Sequence, residues 1–467
     1  MATQSTNEAI FLSGSLMRHV TRMSLTTSIG LMAIFAVDFV DMVFISMLGN
    51  DALAAAVGYA GTLLFFTNAI NIGLSISAGA LVARQLGAGQ PERARQYAAS
   101  VALLGLIVGL VTPVLVLWNL DVLLALLGAE GEVLRLATRY VSIILPTMWV
   151  MALAMVAMAV LRAHGDARRS MMATIYGGVV NAVLDPILIF AVGLGLDGAA
   201  IASVLARLCM LGAALWPALK VHQGFARPSV VQLVTDFRPV RAIAIPAVLT
   251  NVATPLGNAI VVREIAQYGT DAVAGMAVIG RLLPVAFSVI FALSGAIGPI
   301  IGQNFGAEKF DRVREAFLAG IKFTAIYVLG MAAVLFVLRG PIADLFAAQG
   351  ETRVLIYLFC GPLALAAFFN GVIFVSNASF NNLGHPVYST WINWGRHTVG
   401  TWVFASIGSH LAGASGVLLG QAFGGVIFAV LSWVMVGRVV SGLERAQAIE
   451  PFADQNRMHS LFGRRGW

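Results

Sequence analysis

Charged residues are scarce in this sequence. Only 11% of its 467 residues are Asp, Glu, Lys or Arg, whereas soluble domains carry about 25% of these residues. Hydrophobic residues make up 59% of the chain. A composition this apolar argues against an ordinary soluble enzyme, and it indicates a protein that crosses a membrane several times.

Cysteine and nucleotide-binding motifs are also lacking. The two cysteines, Cys209 and Cys360, both lie in apolar stretches, so the sequence predicts neither a disulfide framework nor a cysteine metal site. No glycine-rich phosphate loop carries the lysine of an ATPase, and Gly193-Leu194-Gly195 lacks the strand context of a dinucleotide site. We therefore predict a protein that is not an enzyme, binds no cofactor and draws its energy from an ion gradient.

Long hydrophobic runs, by contrast, are abundant. Twelve of them are long enough to cross a bilayer as a helix, which takes about 20 residues. Basic residues concentrate in the connections that follow the even-numbered runs and near both ends of the chain, which predicts that both termini are cytoplasmic. The predicted runs are residues 24–48, 53–83, 97–118, 134–161, 170–195, 198–220, 242–267, 272–302, 316–338, 354–381, 387–408 and 413–437.

The net charge of +7 comes from these same basic connections and from a tail that holds Arg457, Arg464 and Arg465. Because the positive charges lie in short loops between apolar runs, they follow the positive-inside pattern and do not indicate a nucleic-acid partner. The expected partners are the lipid bilayer and small molecules, and the chain is expected to act as a monomer.

An internal repeat divides the chain into halves. Three short motifs of the first half recur in the second half at an offset of 219 or 220 residues. Each half then holds six apolar runs, so the halves share one orientation and should be related by a pseudo-twofold axis along the membrane normal. We predict an all-α membrane protein with lobes at 1–222 and 242–467, joined by a cytoplasmic linker at 223–241. The paired motifs are residues 49–55 and 269–275, 85–89 and 304–308, and 92–95 and 311–314.

Two pairs of polar residues lie inside apolar runs. Asp38 and Asp41 are three residues apart, so they share a helix face at membrane depth, where an unpaired charge costs several kcal/mol. Asn181 and Asp185 are four apart and precede Pro186, which frees a backbone carbonyl. The Asp185 carboxylate, the Asn181 amide oxygen and freed carbonyls could form an oxygen-lined cation site, or the carboxylate could instead bind a proton. A purely structural role between helices is the alternative.

Other polar groups are weaker candidates. Glu264, near the outer end of the seventh run, is either an interfacial residue or a substrate contact. Asn370 and Asn377 fit one helical face, which either lines a substrate path or joins helices. Met158 is one of several methionines that could form a pliable wall for varied ligands. For Arg396, a structural role is expected.

Several of these segments together resemble the multidrug and toxic compound extrusion (MATE) family, of the DinF-like prokaryotic type. The resemblance covers about residues 20–440. It implies twelve helices in two lobes and the export of cationic, lipophilic compounds in exchange for protons or sodium ions. The segments that carry it are residues 41–49 leading into 52–55, the loop at 87–89, residues 161–167 and residues 181–186.

The resemblance also implies which residues bind the coupling ion. In DinF-like members a first-helix aspartate, a fifth-helix asparagine and aspartate, and a sixth-helix hydroxyl form this site. The matching residues are Asp41, Asn181, Asp185 and Ser203. The sequence departs from relatives at Val37, where a tyrosine can stand, at Met158, where an asparagine can stand, and at Asp38, where some have asparagine. The added Asp38 carboxylate either compensates for the lost polar groups or shifts the coupling toward protons.

Antiport is therefore the main hypothesis, and two rivals stay open. The first is a flippase or exporter of a lipid-linked or metabolite substrate in the same wider superfamily, which would favour extra helices and a cationic central cavity. The second is a channel or scaffold, which has no need of titratable groups at mid-depth. The sequence leaves the coupling ion open between H⁺ and Na⁺, and it leaves the physiological substrate open.

Overall fold

The computed structural model describes the backbone of residues 9–462 and the side chains of residues 9–445, apart from Ser46 and Asp51. Throughout this part of the chain the regular structure is helical. The side chains of Arg457, Arg464 and Arg465, which supported the predicted orientation, lie outside the described residues. The predicted all-α membrane fold is confirmed for the described residues, which contain eleven helical segments long and apolar enough to span a membrane.

The spanning helices follow one another with short connections. Three spanning helices, Gly131–Ala163, Ala167–Ala191 and Gly350–Leu383, continue through a 3₁₀ or π-type turn. These turns are Leu145–Thr147, Ile187–Ala191 and Phe359–Leu363, in that order. A short helix, Leu120–Leu126, lies in the connection before Gly131. The spanning helices are α1 (Leu16–Ser46), α2 (Asp51–Gly87), α3 (Pro91–Trp118), α4 (Gly131–Ala163), α5 (Ala167–Ala191), α6 (Leu196–Lys220), α7 (Val230–Ala266), α8 (Thr270–Gly306), α9 (Phe310–Leu345) and α10 (Gly350–Leu383).

The last apolar segment, Pro386–Arg445, is 60 residues long, about twice what one crossing needs. Its backbone leaves the helical conformation at Ala412 and Gly413, where glycine accepts a φ of +59°. Beyond this turn the chain reverses, because Gly416 packs against Gly408 and Gly424 against Gly400. The segment is therefore two antiparallel helices, α11 (386–411) and α12 (414–445), and the predicted twelve crossings are present.

Two helices begin earlier than their apolar runs predict, because capping residues start them in the polar flank. Ser15 accepts a hydrogen bond from the Arg18 amide before α1, and Ser229 accepts one from the Gln232 amide before α7. The predicted linker at 223–241 is consequently irregular only as far as Ser229. The division into lobes at 222 and 242 stays a prediction.

Helices α2 and α8 meet at their C-terminal ends through residues that the repeat relates to one another. Gly87 of α2 packs on the Gln303 backbone, and Gly306 of α8 packs on the Arg84 backbone. The repeat offset of 219 residues relates Gly87 to Gly306, and it also relates Arg84 to Gln303. The pseudo-twofold axis therefore passes between these two helix ends, and their close backbone contact closes this side of the molecule.

Hydrogen bonds around this crossing also come in a repeat-related pair. The Arg84 side chain donates to the Asn382 carbonyl at 2.7 Å, and the Gln303 side chain donates to the Ala163 carbonyl at 2.8 Å. The Gln303 Oε1 atom also accepts the Phe11 amide at 2.9 Å. This bond fixes the N-terminal 3₁₀ turn, Ile10–Leu12, under the crossing, so residues of both halves and of the N-terminal segment close this end of the molecule.

A polar contact ties the end of α6 to the start of α5. The Asp166 carboxylate interacts with His222 Nε2 at 2.9 Å, accepts the Arg169 guanidinium at 2.6 Å and caps α5 through the Arg169 amide at 3.1 Å. Burial alone would raise the pKa of Asp166, but these partners outweigh it and lower the pKa to about 2. Asp166 therefore remains ionised at neutral pH.

The Asp166→Asn variant is expected to be less stable at neutral pH, by on the order of 2 kcal/mol. Because the folded-state pKa lies below the usual value of 3.8, the carboxylate adds stability above about pH 4 and loses it as the pH falls toward 2. The gap in thermal midpoint between wild type and variant should therefore narrow from pH 7 to pH 3. Glu130→Gln, at an exposed position, serves as the control. A gap that is independent of pH would contradict this assignment.

Candidate ion-coupling site

Asp41 of α1 meets Asn181 and Asp185 of α5. The Asn181 amide donates to both Asp41 carboxylate oxygens at 3.2 Å and to the Asp185 Oδ2 atom at 2.8 Å. Asp185 is completely buried, and Asn181 is only 6% exposed. The structure thus brings together three of the four residues predicted for the ion site, and one amide group bridges the two acids.

The local sequence of α5 explains why Asp185 has room for an ion. Pro186 has no amide hydrogen, so it cannot bond to the carbonyl four residues earlier, and the helix continues as the π-type turn Ile187–Ala191. The Asp185 Oδ1 atom is buried without a hydrogen-bond partner among the described residues. A buried acceptor of this kind is costly unless a proton or cation occupies it.

The carboxyl groups of Asp41 and Asp185 lie within electrostatic reach of each other, and the Asn181 amide bridges them. Two charged carboxylates repel at this range, and either one shared proton or one cation relieves the repulsion. Phe44 of α1 holds the two helices together just beyond the acids, because its ring packs edge-on against Phe190 at 6.0 Å. The arrangement is chemically suited to bind a small monovalent cation.

Ser203 of α6, the fourth predicted residue, is linked to the acids through a tyrosine that sequence reasoning missed. The Tyr140 hydroxyl of α4 interacts with the Ser203 side chain and lies within electrostatic reach of Asp41 and Asp185. Arg207 then donates to Thr147 at 3.0 Å. Arg207 lies four residues after Ser203, so the two share one face of α6. This spacing was the one signal in the sequence that the polar contacts extend from Ser203 along α6.

Asp38 behaves differently from Asp41. Its side chain is exposed and makes no hydrogen bond to a described residue, although it lies within electrostatic reach of Asp41. Val37, beside it, packs on Gly178 of α5 at 3.1 Å from the position of a Cβ atom there. Helix α1 therefore directs Asp41 into the contact with α5 and leaves Asp38 exposed.

The predicted substrate contacts do not gather around these acids. Met158 is 8% exposed and accepts the Thr174 hydroxyl at 3.5 Å. Glu264 accepts the Gln267 amide at 3.1 Å near the end of α7. Asn377 accepts the side chain of Asn393 at 3.1 Å and so joins α10 to α11. Asn370 is half-buried and has no side-chain hydrogen bond to a described residue. Whether these residues contact substrate stays a prediction.

A cavity of about 370 Å³ lies between α2 of the first half and α7 of the second half. Its lining residues on α2 precede Gly87 by 21 residues or more, so the cavity lies well away from the crossing of α2 with α8. The predicted site residues do not line it, because α1 and α5 hold the acids to one side. Its lining residues are Gly58, Gly61, Thr62, Phe65, Phe66, Thr254, Pro255 and Asn258.

Comparison with known proteins identifies the family. The MatE family model matches residues 18–187 and 246–401 of the chain. This chain belongs to the MatE family. Members of the family are transporters, so the protein is a membrane transporter rather than an enzyme. The predicted family resemblance is confirmed, and the DinF-like subtype stays a prediction.

Individual relatives of this MATE protein cover most of the chain. The FAD transporter of Shewanella oneidensis is 28% identical over 446 residues, which cover 94% of this chain and 98% of that protein. The multidrug export protein MepA of Staphylococcus aureus is 27% identical over 323 residues, covering 67% and 69%. The crystallised MATE transporter VcmN of Vibrio cholerae superposes with a TM-score of 0.86 at 25% identity, covering 94% and 99%.

Proposed function

We propose that this MATE protein is a secondary active antiporter that exports organic compounds in exchange for protons or sodium ions. The contact between Asp41, Asn181 and Asp185 carries the proposal, because it leaves a buried carboxylate oxygen that needs an ion. We place the transporter in a bacterial inner membrane as a monomer with both termini in the cytoplasm, on the support of the basic cytoplasmic connections.

Antiport requires that ion and substrate prefer opposing states of the protein. An ion from outside removes one negative charge from the carboxyl pair and relieves its repulsion, so that α1 repacks against α5 and a bound substrate is released outward. The return step breaks the cytoplasmic crossing of α2 with α8, moves the halves and discharges the ion inside. Antiport thus requires that ion binding by the acid pair be coupled to the opening of the crossing between α2 and α8.

Of the two ions, protons fit the observed geometry better. The Asn181 side chain presents its amide hydrogens to both acids, and the two carboxyl groups are near enough to repel, so that one bound proton would relieve the repulsion. A sodium site would instead need the Asn181 oxygen turned toward the ion, with Asp41, Asn181 and Asp185 as its ligands. The two arrangements differ in the orientation of the Asn181 side-chain amide.

Two substrate classes follow from the chemistry and the comparisons. Cationic, lipophilic compounds suit the acidic first half, and the similarity to MepA, a multidrug export protein, supports them. A metabolite exporter is the second candidate. The similarity over 94% of the chain to a FAD transporter favours a large anionic compound of the flavin dinucleotide kind.

The coupling is tested in proteoliposomes that receive either a pH gradient or a sodium gradient, never both. We expect the pH gradient alone to drive efflux of ethidium or of FAD at least ten times faster than no gradient. Protein-free liposomes and liposomes with a collapsed gradient are the controls. Transport driven by sodium alone would reject the shared proton, and flux that runs equally without any gradient would reject antiport.

A further inference from the structure

Helices α10 and α11 are joined by two polar contacts that fix their register. The Ser389 hydroxyl interacts with Asn381 Oδ1 at 3.5 Å, and the Asn393 amide donates to Asn377 Oδ1 at 3.1 Å. From the Asn381–Ser389 pair to the Asn377–Asn393 pair, the contact moves four residues back along α10 and four residues forward along α11. The helices are therefore antiparallel, and both put a polar face into the interior of the second half.

The next polar residues on these two faces are Asn370 and Arg396. The shared register places Arg396 one turn beyond Asn393, and it places Asn370 within about one further turn of Arg396. Both side chains are half-buried, and neither makes a hydrogen bond or ion pair with a described residue. Arg396 lies ten residues after the start of α11, about 15 Å along the helix, which is near the middle of a bilayer.

No acid in the described second half can neutralise this arginine. Every acidic residue between 242 and 445 lies in a connection or within six residues of the end of its spanning segment. The repeat relates Arg396 and His397 to Gly177 and Gly178, so the basic pair has no counterpart in the first half. The shared fold therefore does not require these two side chains, which argues against the structural role expected for Arg396.

His397 adds a second unsatisfied polar group beside the arginine. Its ring is 5% exposed, is held against Gly257 of α7, and leaves Nδ1 buried without a hydrogen-bond partner. A buried polar atom of this kind and an unpaired guanidinium at mid-depth each cost free energy that a ligand would recover. Guanidinium, amide and imidazole groups together are the donors that bind phosphate oxygens.

We propose that Arg396, Asn370 and His397 form a mid-depth subsite for an oxyanion, the phosphate group of an organic substrate. The inference rests on the proposed transport function and extends its second substrate class. Arg396 grips two oxygens through its planar fork, while Asn370 and His397 donate to the remaining ones. The acidic first half then binds the coupling ion, and the basic second half selects the substrate.

Equilibrium binding to the purified protein in nanodiscs tests the subsite without any ion gradient. Inorganic pyrophosphate and FAD are the phosphate-bearing probes, and riboflavin is the matched probe without phosphate. We expect Arg396→Gln to weaken pyrophosphate and FAD binding at least tenfold and to leave riboflavin binding within twofold. Arg396→Lys should restore part of the loss, because it returns the charge without the fork. Arg281→Gln, an exposed cation of α8, should have no effect.

Several results would overturn the subsite. They are a wild-type protein that binds neither pyrophosphate nor FAD, an equal loss of FAD and riboflavin binding in Arg396→Gln, or no loss at all. Ethidium binding and the thermal midpoint report whether each variant is folded. If Arg396→Gln is unstable, Asn370→Ala, which removes a neutral group, should still weaken pyrophosphate binding at least threefold. Because binding is measured without a gradient, the binding result does not depend on whether the protein is an antiporter.

Discussion

Replacing Asp41 by asparagine is expected to reduce gradient-driven export at least 100-fold, close to background. Asparagine holds the position of Asp41 permanently neutral, so arrival of an ion no longer changes the charge next to Asp185. The Asn181 amide, which donates to both Asp41 oxygens at 3.2 Å, also loses an ionised acceptor. Without a change in charge the ion has no differential affinity for two states, and it cannot drive the exchange.

Asp38→Asn is the matched control, since it removes the same charge from the same helix without breaking a hydrogen bond to α5. We expect it to keep export within about fivefold of the wild-type rate. Initial rates of ethidium and FAD efflux from proteoliposomes under a pH gradient provide the measurement. If Asp41→Asn exported at the wild-type rate, or if Asp38→Asn were the more damaged variant, the assignment of the coupling site would be wrong.

The second large effect is expected at the cytoplasmic crossing. A Cβ atom at Gly87 would overlap the Gln303 carbonyl, and one at Gly306 would overlap the Arg84 carbonyl. Neither obstacle is a flexible side chain, so Gly87→Ala forces α2 and α8 apart. We expect the population with a closed cytoplasmic side to fall at least tenfold, and export to fall with it.

Labelling of Thr62→Cys, in the cavity between α2 and α7, measures this shift in a background with Cys209 and Cys360 replaced by serine. A membrane-impermeant maleimide applied from outside should react more slowly when Gly87→Ala is added. Gly79→Ala is the control on the same helix, because a Cβ atom there meets only Ala159 at 3.8 Å. Unchanged labelling and export in Gly87→Ala would show that the crossing does not govern the closed state.

The two variants separate the two elements that antiport must couple. Asp41→Asn should leave the outside accessibility of position 62 close to that of the wild type while it abolishes ion-driven flux. Gly87→Ala should reduce accessibility while the acid pair stays intact. A transporter that showed the reverse pattern would couple its ion through another part of the fold.

The spanning helices were predictable from sequence because the length of an apolar run is a local property that bilayer thickness fixes. The Asn181 and Asp185 pair was predictable for a similar reason, since a spacing of four residues sets a shared face before any packing occurs. The repeat offset of 219 residues also predicted that Gly87 and Gly306 are related. Each of these three predictions needed only sequence spacings, either within one segment or between two segments that the repeat relates.

Packing between distant segments decided the rest. Asp38 and Asp41 share a helix face, yet only the approach of α5 turns Asp41 into a hydrogen-bonded contact and leaves Asp38 exposed. Tyr140 reaches the site from α4, which no local pattern indicates. The sequence predicts a structural role for Arg396, and only its surroundings in the described fold, where no acid faces it, led us to propose it as a binding group. Sequence determines which groups a helix carries, and tertiary structure determines which of those groups find a partner.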